Sequence, residues 1–236
     1  MKKIISFIIP VYNEEENIEQ FINQLKKFTI AKYKKEIIVI DNNSTDSSKN
    51  KILNTKIKYF FEKKIGYGYA IKKGLNLAKG DILVTIEPDN TFDINDVYKF
   101  LNYIDYFDCV FGTRTSKSTI GSYAKMGKFL RYGNIFVAKI MEYLFFGPTL
   151  SDVGCTFKMF KKNIYKKIRN KVFVNDSTFQ AELMIRFIQL RCKIVEIPIF
   201  YNKRIGHSKI TYNFISSFLL GVKMIFLIFK NRLICK

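Results

Sequence analysis

From its start to Asp89 the chain alternates short apolar runs with longer amphipathic segments, and this rhythm restricts the fold more than any other feature. ISFIIPVY leads through Asn13 into a stretch where Ile18, Phe21, Ile22 and Leu25 recur at helical spacing. EIIVIDNNSTDSS is a second strand ending in turn and cap formers. A short strand near IKYFFE precedes KKIGYGYAIKKGLNLAKGD, a glycine-hinged turn and helix, and ILVTIEPDN follows. This β-α-β alternation predicts a mostly parallel sheet covered by helices on both faces. Ligands of such sheets bind beyond the carboxyl ends of the strands. Three of those ends carry polar clusters: Tyr12, Asn13 and Glu14; Asp41, Asn42 and Asn43; and Glu87 with Asp89. Residues two apart on an extended chain point the same way. Glu87 and Asp89 therefore face one object, and two anions so placed repel unless a cation sits between them.

The second half is less regular. CVFGTR reads as a strand ending in Arg114, YAKMGKFLRYGNIFVAKIMEYLFF as a long helix with basic and aromatic residues interleaved, and CKIVEIPIFY as a late strand. The apolar opening MKKIISFIIPVY reads as a buried first strand rather than a signal peptide, because the run is short, meets NEEEN at once and lacks a small-residue cleavage site. Cys109, Cys155, Cys192 and Cys235 lie far apart with His207 as the sole histidine, which argues against zinc and fits thiols in a reducing compartment. The net charge of +20 favours acidic partners, including anionic lipid and phosphorylated small molecules, although a lysine-rich composition accounts for much of it. A basic nucleic-acid-binding protein is the reading from another class; the charges are spread along the chain and no binding motif accompanies them, so no nucleic acid is expected. In the tail, the apolar stretch Phe214 to Phe229 is about 24 Å long as a helix, short of a ~30 Å hydrocarbon layer. Ser216, Lys223 and Lys230 share one face. A helix lying in the membrane interface is expected, with packing on the domain and a tilted span as the alternatives.

Taken in order, IIPVYNEEENI, EIIVIDNNSTDSS, GYGYAIKKGLNLAKGDI, FGTR, SDVGCTFKMFKK and EIPIFYNKRIGHSKIT resemble the family 2 inverting glycosyltransferases. The resemblance is to the branch of dolichol-phosphate mannose synthase and the bacterial polyprenyl-phosphate sugar transferases. It implies the GT-A nucleotide-diphospho-sugar transferase fold, with residues 1–205 as the catalytic domain and 206–236 as an acceptor-side loop and membrane-proximal helix. It also implies transfer of a sugar from a nucleotide diphosphate to a polyprenyl phosphate at the cytoplasmic membrane face. A saccharide acceptor, or an inactive sugar-nucleotide-binding relative, is the alternative.

The resemblance places the family's D-x-D metal motif at Glu87 and Asp89, implying Mg²⁺ or Mn²⁺, ions that favour hard oxygen ligands. The first acid is Glu, one methylene longer than the family's Asp, and Thr91 stands where the branch tends to carry Gln. Pro10, Tyr12, Asn13, Glu14, Asp41 and Asn43 are implied for the nucleotide, Asp41 accepting a base N–H. A departing diphosphate needs cations where its charge develops, and Arg114, Arg131, Arg204 and Lys209 are the candidates. Asp152 lies where the branch carries an acid near the acceptor: a general base for a hydroxyl acceptor, an orienting group for a phosphate that is already ionised. Asp89, Arg114 and Asp152 are thus the expected catalytic set. Gly66, Gly68 and Gly74 read as sites of close backbone approach, and Glu182 as a support at a helix terminus.

Overall fold

The computed structural model describes residues 2–124, 126–206 and 213–234. The predicted strands form as β1 (Lys3–Val11), β2 (Tyr33–Asp41), β3 (Lys58–Phe61), β4 (Ile82–Thr85), β5 (Cys109–Thr113) and β7 (Ile194–Pro198), joined by β6 (Lys158–Lys161). Together they make one seven-stranded sheet in the order β3-β2-β1-β4-β6-β5-β7. All pairings are parallel except those of β6, which runs against both β4 and β5. Nothing in CTFKMFKK distinguished this reversed strand, because lysines at both of its ends, Lys158 and Lys161, leave no apolar run to read.

β1 is central and buried along seven successive residues, as expected of a strand covered on both faces. Its side chains divide the core by alternation. Ile8 joins Ile38, Ile40 and Leu83 on one face, whereas Phe7 and Ile9 join Val39 and Val84 on the other. Helix α1 (Ile18–Lys27) buries the four predicted residues Ile18, Phe21, Ile22 and Leu25 on the second face. There too lies α4 (Asp96–Ile104), through Val97 and Phe100. The first face is covered by α3 (Tyr67–Leu77), α5 (Lys128–Phe145) and α7 (Phe179–Gln189). At Gly74 of α3 an added Cβ would stand 2.5 Å from Ile8 Cγ2, so the helix lies closer to β1 than any side-chain-bearing residue allows. The shorter helices α2 (Ser48–Asn54) and α6 (Lys162–Ile168) complete the body.

The last helix, α8 (Phe214–Ile234), has 21 residues, about 32 Å of axis. This corrects the shorter expectation: the helix continues past Phe229 through Lys230 to Ile234, and by length and composition it could cross a membrane. It also packs on the body, contacting α5 and α7. Met224, Ile228 and Asn231 form the buried stripe, and Met224 and Ile228 belong to the main core. On the opposite side Ile215, Phe218, Val222, Phe226, Phe229 and Leu233 follow at three- and four-residue steps and stay exposed. α5 adds exposed Phe129, Tyr132, Phe136 and Tyr143 at similar steps. The Phe129 and Phe214 rings, 4.3 Å apart, join the two surfaces.

Candidate active site

Strands β1 to β3 run to one side of β1 and β4 lies on the other, so the strand order reverses between β1 and β4. At the carboxyl end of that reversal lies a cavity of about 310 Å³, within the range of small-molecule sites. Pro10, Tyr12 and Glu14 line it from β1, Asn42 from β2, and Glu87 and Pro88 from β4. Ile65 to Tyr67 close one wall, Asp176 and Ser177 stand on the segment leading into α7, and Arg204 reaches in from beyond β7.

The loops around the cavity are braced by their own polar residues. The Asn13 N–H donates to Ser44 Oγ (3.0 Å), Thr45 N–H to Asn13 Oδ1 (2.8 Å), and Glu14 N–H to Ser48 Oγ (2.8 Å), tying the β1–α1 loop to the β2–α2 loop. Asp41 is buried beneath: Ser44 N–H donates to one oxygen (3.0 Å) and the Tyr59 hydroxyl to the other (3.1 Å). Of the second-strand cluster, Asn42 is the residue that faces the cavity. Its Nδ2 donates to the Lys64 carbonyl (2.7 Å) and its Oδ1 accepts from Gly66 N–H (2.8 Å), which holds the Ile65–Tyr67 wall. Asn43 takes the left-handed turn behind it (φ 65°). Asn13, Asp41 and Asn43 thus sit in the frame of the cavity, and Pro10, Tyr12 and Glu14 on its surface.

Asp176 and Ser177 were missed in the sequence, since KVFVNDSTF carries no pattern of its own. The signal was indirect. A Cβ on Gly68 would lie 2.6 Å from Asn175 Cα, and Gly68 N–H donates to the Asn175 carbonyl (2.8 Å). The predicted close approach at Gly68 is therefore to the backbone that presents Asp176. Glu182, in the first turn of α7, supports the same segment by accepting from the N–H groups of Phe173 (2.8 Å) and Val174 (2.7 Å) and pairing with Arg186 (3.0 Å). We expect Gly68→Ala to destabilise the fold by about 1–3 kcal/mol, because backbone rather than a flexible side chain must yield. Nucleotide affinity should fall with it, as measured by denaturant unfolding and by calorimetric titration.

Glu87 and Asp89 do face one object, the guanidinium of Arg204. Arg204 Nη1 lies 2.7 Å from Asp89 Oδ2 and 4.0 Å from Glu87 Oε2, and Nη2 lies 2.9 Å from Glu14 Oε1. Thr91, at the departing position, donates its N–H to Asp89 Oδ1 (3.0 Å) and so orients the acid. Burial, with Asp89 alongside, pushes the Glu87 carboxyl up to about 8 despite the pull of Arg204. Added positive charge at the acids would pull the Glu87 carboxyl back down. Among the described residues no three acids, histidines or cysteines converge to hold an ion. Two hard-oxygen side chains that already receive a cation fit a divalent ion whose remaining ligands come from a bound diphosphate.

A second cluster adjoins the first through Tyr201, whose ring lies 5.4 Å from the Arg114 guanidinium and whose partly buried hydroxyl feels both Arg114 and the acids. Arg114 donates to Asp152 from its backbone N–H (2.9 Å), Nε (2.8 Å) and Nη2 (2.9 Å), and Gly154 N–H adds a fourth bond (3.1 Å). Asp152 is wholly buried. Burial alone would push its carboxyl up, but Arg114 more than offsets this and holds it below the ordinary range. With both oxygens engaged and its proton affinity lowered, Asp152 has the environment of an anchor for Arg114 and not of a general base. Glu196 of β7 in turn accepts from the N–H groups of Ser151 (2.7 Å) and Asp152 (3.2 Å). Arg131 of α5 donates from Nε to the Thr115 carbonyl (2.6 Å), which brings a second guanidinium to this side. Lys209 lies outside the described residues. Tyr201 escaped notice because it reads as one more strand aromatic in EIPIFY.

Comparison with known proteins agrees with this geometry. A dolichyl-phosphate hexose transferase of Haloferax volcanii is 25% identical over 207 residues, covering 87% of this chain and 86% of that protein. A dolichyl-phosphate beta-glucosyltransferase of Saccharomyces cerevisiae is 25% identical, covering 84% and 67%. A dodecaprenyl-phosphate galacturonate synthase of Rhizobium johnstonii is 22% identical, covering 70% and 50%. Glucosyl-3-phosphoglycerate synthase of Mycobacterium tuberculosis, solved with Mn²⁺, UDP and phosphoglyceric acid, superposes with a TM-score of 0.72 at 16% identity, covering 98% of this chain and 78% of that one. The same enzyme has been solved with Mg²⁺ and UDP. These structures share the GT-A-like α/β fold. Residues 6–169, well over half of the chain, match the family described as Glycosyl transferase family 2, and the chain belongs to that family of sugar-transferring enzymes.

Proposed function

We propose that the protein transfers a hexose from a nucleoside-diphosphate sugar to a polyprenyl phosphate at the cytoplasmic face of a membrane. The observation that carries this reading is the pairing of an acid-lined cavity at the strand reversal with a second, arginine-bearing cluster joined to it through Tyr201. In this reading Pro10, Tyr12 and Asn42 receive the base and ribose, and Asp176 and Ser177 stand where donor hydroxyls can be sorted. Glu87 and Asp89 would hold Mg²⁺ or Mn²⁺, which when bound would supply positive charge for the leaving diphosphate. Arg204 reaches the diphosphate oxygens, its planar fork being suited to them. Arg114 and Arg131 receive the acceptor phosphate, with Asp152 as a positioning residue. A phosphate monoester is already ionised near neutrality, so the acceptor needs no strong base, in keeping with the engaged oxygens of Asp152. The names of the relatives, all acting with dolichyl or dodecaprenyl phosphates, support this acceptor over a saccharide.

Purified protein offered a panel of nucleotide sugars with short polyprenyl phosphates should form a lipid-linked sugar from one donor, and chelation should abolish it. Transfer to saccharides with the lipid phosphate ignored would overturn the acceptor assignment. Transfer to nothing would overturn the whole reading.

Residues 206–236 are read as the membrane-proximal part. Lys223 lies near the middle of α8 and is exposed; a central lysine in a spanning helix costs about 2.5–3.5 kcal/mol. The exposed apolar side of α8 and the aromatic side of α5 instead suit immersion in the interface of an anionic bilayer, with Lys223 and Lys230 at its edge. Phe218 and Phe226, the latter 70% exposed, contribute to that side. Replacing both with Glu should lower co-sedimentation with vesicles containing phosphatidylglycerol at least about tenfold, since each buried phenyl ring is worth roughly 1.5–3 kcal/mol. The soluble-donor site should be unaffected. Unchanged co-sedimentation would overturn the interfacial placement.

A further inference from the structure

The guanidinium of Arg204 does more than lie near the acids. It covers the one oxygen of Asp89 that Thr91 leaves open, at 2.7 Å, while bridging to Glu14 at 2.9 Å. Its loop is fastened over the motif by backbone: Asn202 N–H donates to the Thr91 carbonyl (2.9 Å) and Ile205 N–H to the Asp89 carbonyl (3.1 Å), and Asn17 Nδ2 donates to the Ile205 carbonyl (3.2 Å). Yet the fit is incomplete, because the buried Arg204 Nε has no hydrogen-bond partner among the described residues. A guanidinium with a fork only partly used would gain from a ligand offering two acceptor oxygens.

We propose that Arg204 is an internal counter-ion that exchanges partners, leaving Asp89 and Glu87 for the diphosphate of the donor as the divalent ion arrives, so that metal and donor bind interdependently. The inference rests on the function proposed above and goes beyond it in assigning this arginine a role at the acids themselves. Three charges decide the matter. A divalent ion on Asp89 Oδ2 and a guanidinium on the same oxygen repel each other at close range, where the low-dielectric wall screens little. The ion alone must therefore displace Arg204 and leave its buried charge facing a dication. A diphosphate removes that conflict, since it supplies the negative charge that both cations need. When the nucleotide leaves after transfer, Arg204 returns to Asp89 and favours release of the ion.

The test is direct titration with Mn²⁺, followed by the electron paramagnetic resonance of free ion, with and without UDP and GDP in separate series. For the wild-type chain at least one nucleotide should strengthen Mn²⁺ binding fivefold or more. In Arg204→Gln, Mn²⁺ alone should bind at least fivefold more tightly than to wild type, and the gain from nucleotide should fall below about twofold. Arg204 lies beyond β7, outside every strand and helix, and circular dichroism with thermal melts checks that each variant keeps the fold before it is titrated. Arg204→Lys keeps the charge and should stay within about twofold of wild type for Mn²⁺ alone. A glutamine variant that gains less than fivefold, or a lysine variant as tight as the glutamine one, overturns the exchange. An Asp89→Asn control separates the two levels: loss of Mn²⁺ binding upholds the metal assignment whatever Arg204 does. Wild-type affinity in that control overturns the assignment and this inference together.

Discussion

Asp89→Asn is expected to reduce sugar transfer on the order of 10²–10³-fold, the scale of removing one preorganised group that stabilises developing charge. The amide keeps the size of the side chain and an oxygen for Thr91, whose N–H now donates to Asp89 Oδ1 at 3.0 Å. What it removes is the negative charge on the oxygen that faces the Arg204 guanidinium at 2.7 Å. Initial rates at saturating donor, with Mg²⁺ or Mn²⁺ in excess, give the measurement. A variant that retains more than a tenth of wild-type turnover would show that this carboxylate does not serve the leaving group.

Asp152→Ala should act on the fold first. Asp152 and Arg114 form a buried pair with hydrogen bonds at 2.8 and 2.9 Å, and the aspartate is entirely shielded from solvent. Removing one partner of a buried pair leaves an uncompensated charge and costs about 3–5 kcal/mol. For a chain of this size the melting midpoint should fall on the order of 10 °C. A general base would behave differently, lowering turnover at an unchanged midpoint and shifting the pH profile. The linkage has a definite sign. Arg114 holds the carboxyl below its ordinary 3.8 against the upward push of burial. The pair's stabilisation is therefore full above about pH 4 and fades as pH falls through the folded value. Thermal melts between pH 3 and 7 should show that acid-side loss in the wild type and less of it in Asp152→Asn.

The parts of the fold that could be read in advance are those whose side chains repeat. β1 and α1 announced themselves by a continuous apolar run and by a helical one, and the acids of β4 by their spacing and the proline between them. Reading failed where position depends on distant chain. β6 is four residues long and owes its place to the open edges of β4 and β5. Asp176 and Ser177 reach the cavity only because two glycines in α3 and its approach let the Asn175 backbone come close. The engaged state of Asp152 was likewise invisible, because an acid in SDVGC looks the same whether its oxygens are open or taken. Arg204 was identified as a cation for phosphate, but that it rests meanwhile against the acids is a property of the folded loop alone.

The reversed strand carries a consequence for how such enzymes diversify. A parallel strand brings its trailing end to the rim, followed at once by the helix that must return across the sheet, so any change of length there disturbs the layer. β6 instead brings its leading end, and the residues before it, Ser151 to Phe157, descend from α5 without a crossover to complete. Outside the buried Arg114–Asp152 pair, that approach can change its chemistry to suit a new recipient of the sugar, while the base-binding half of the molecule stays as it is.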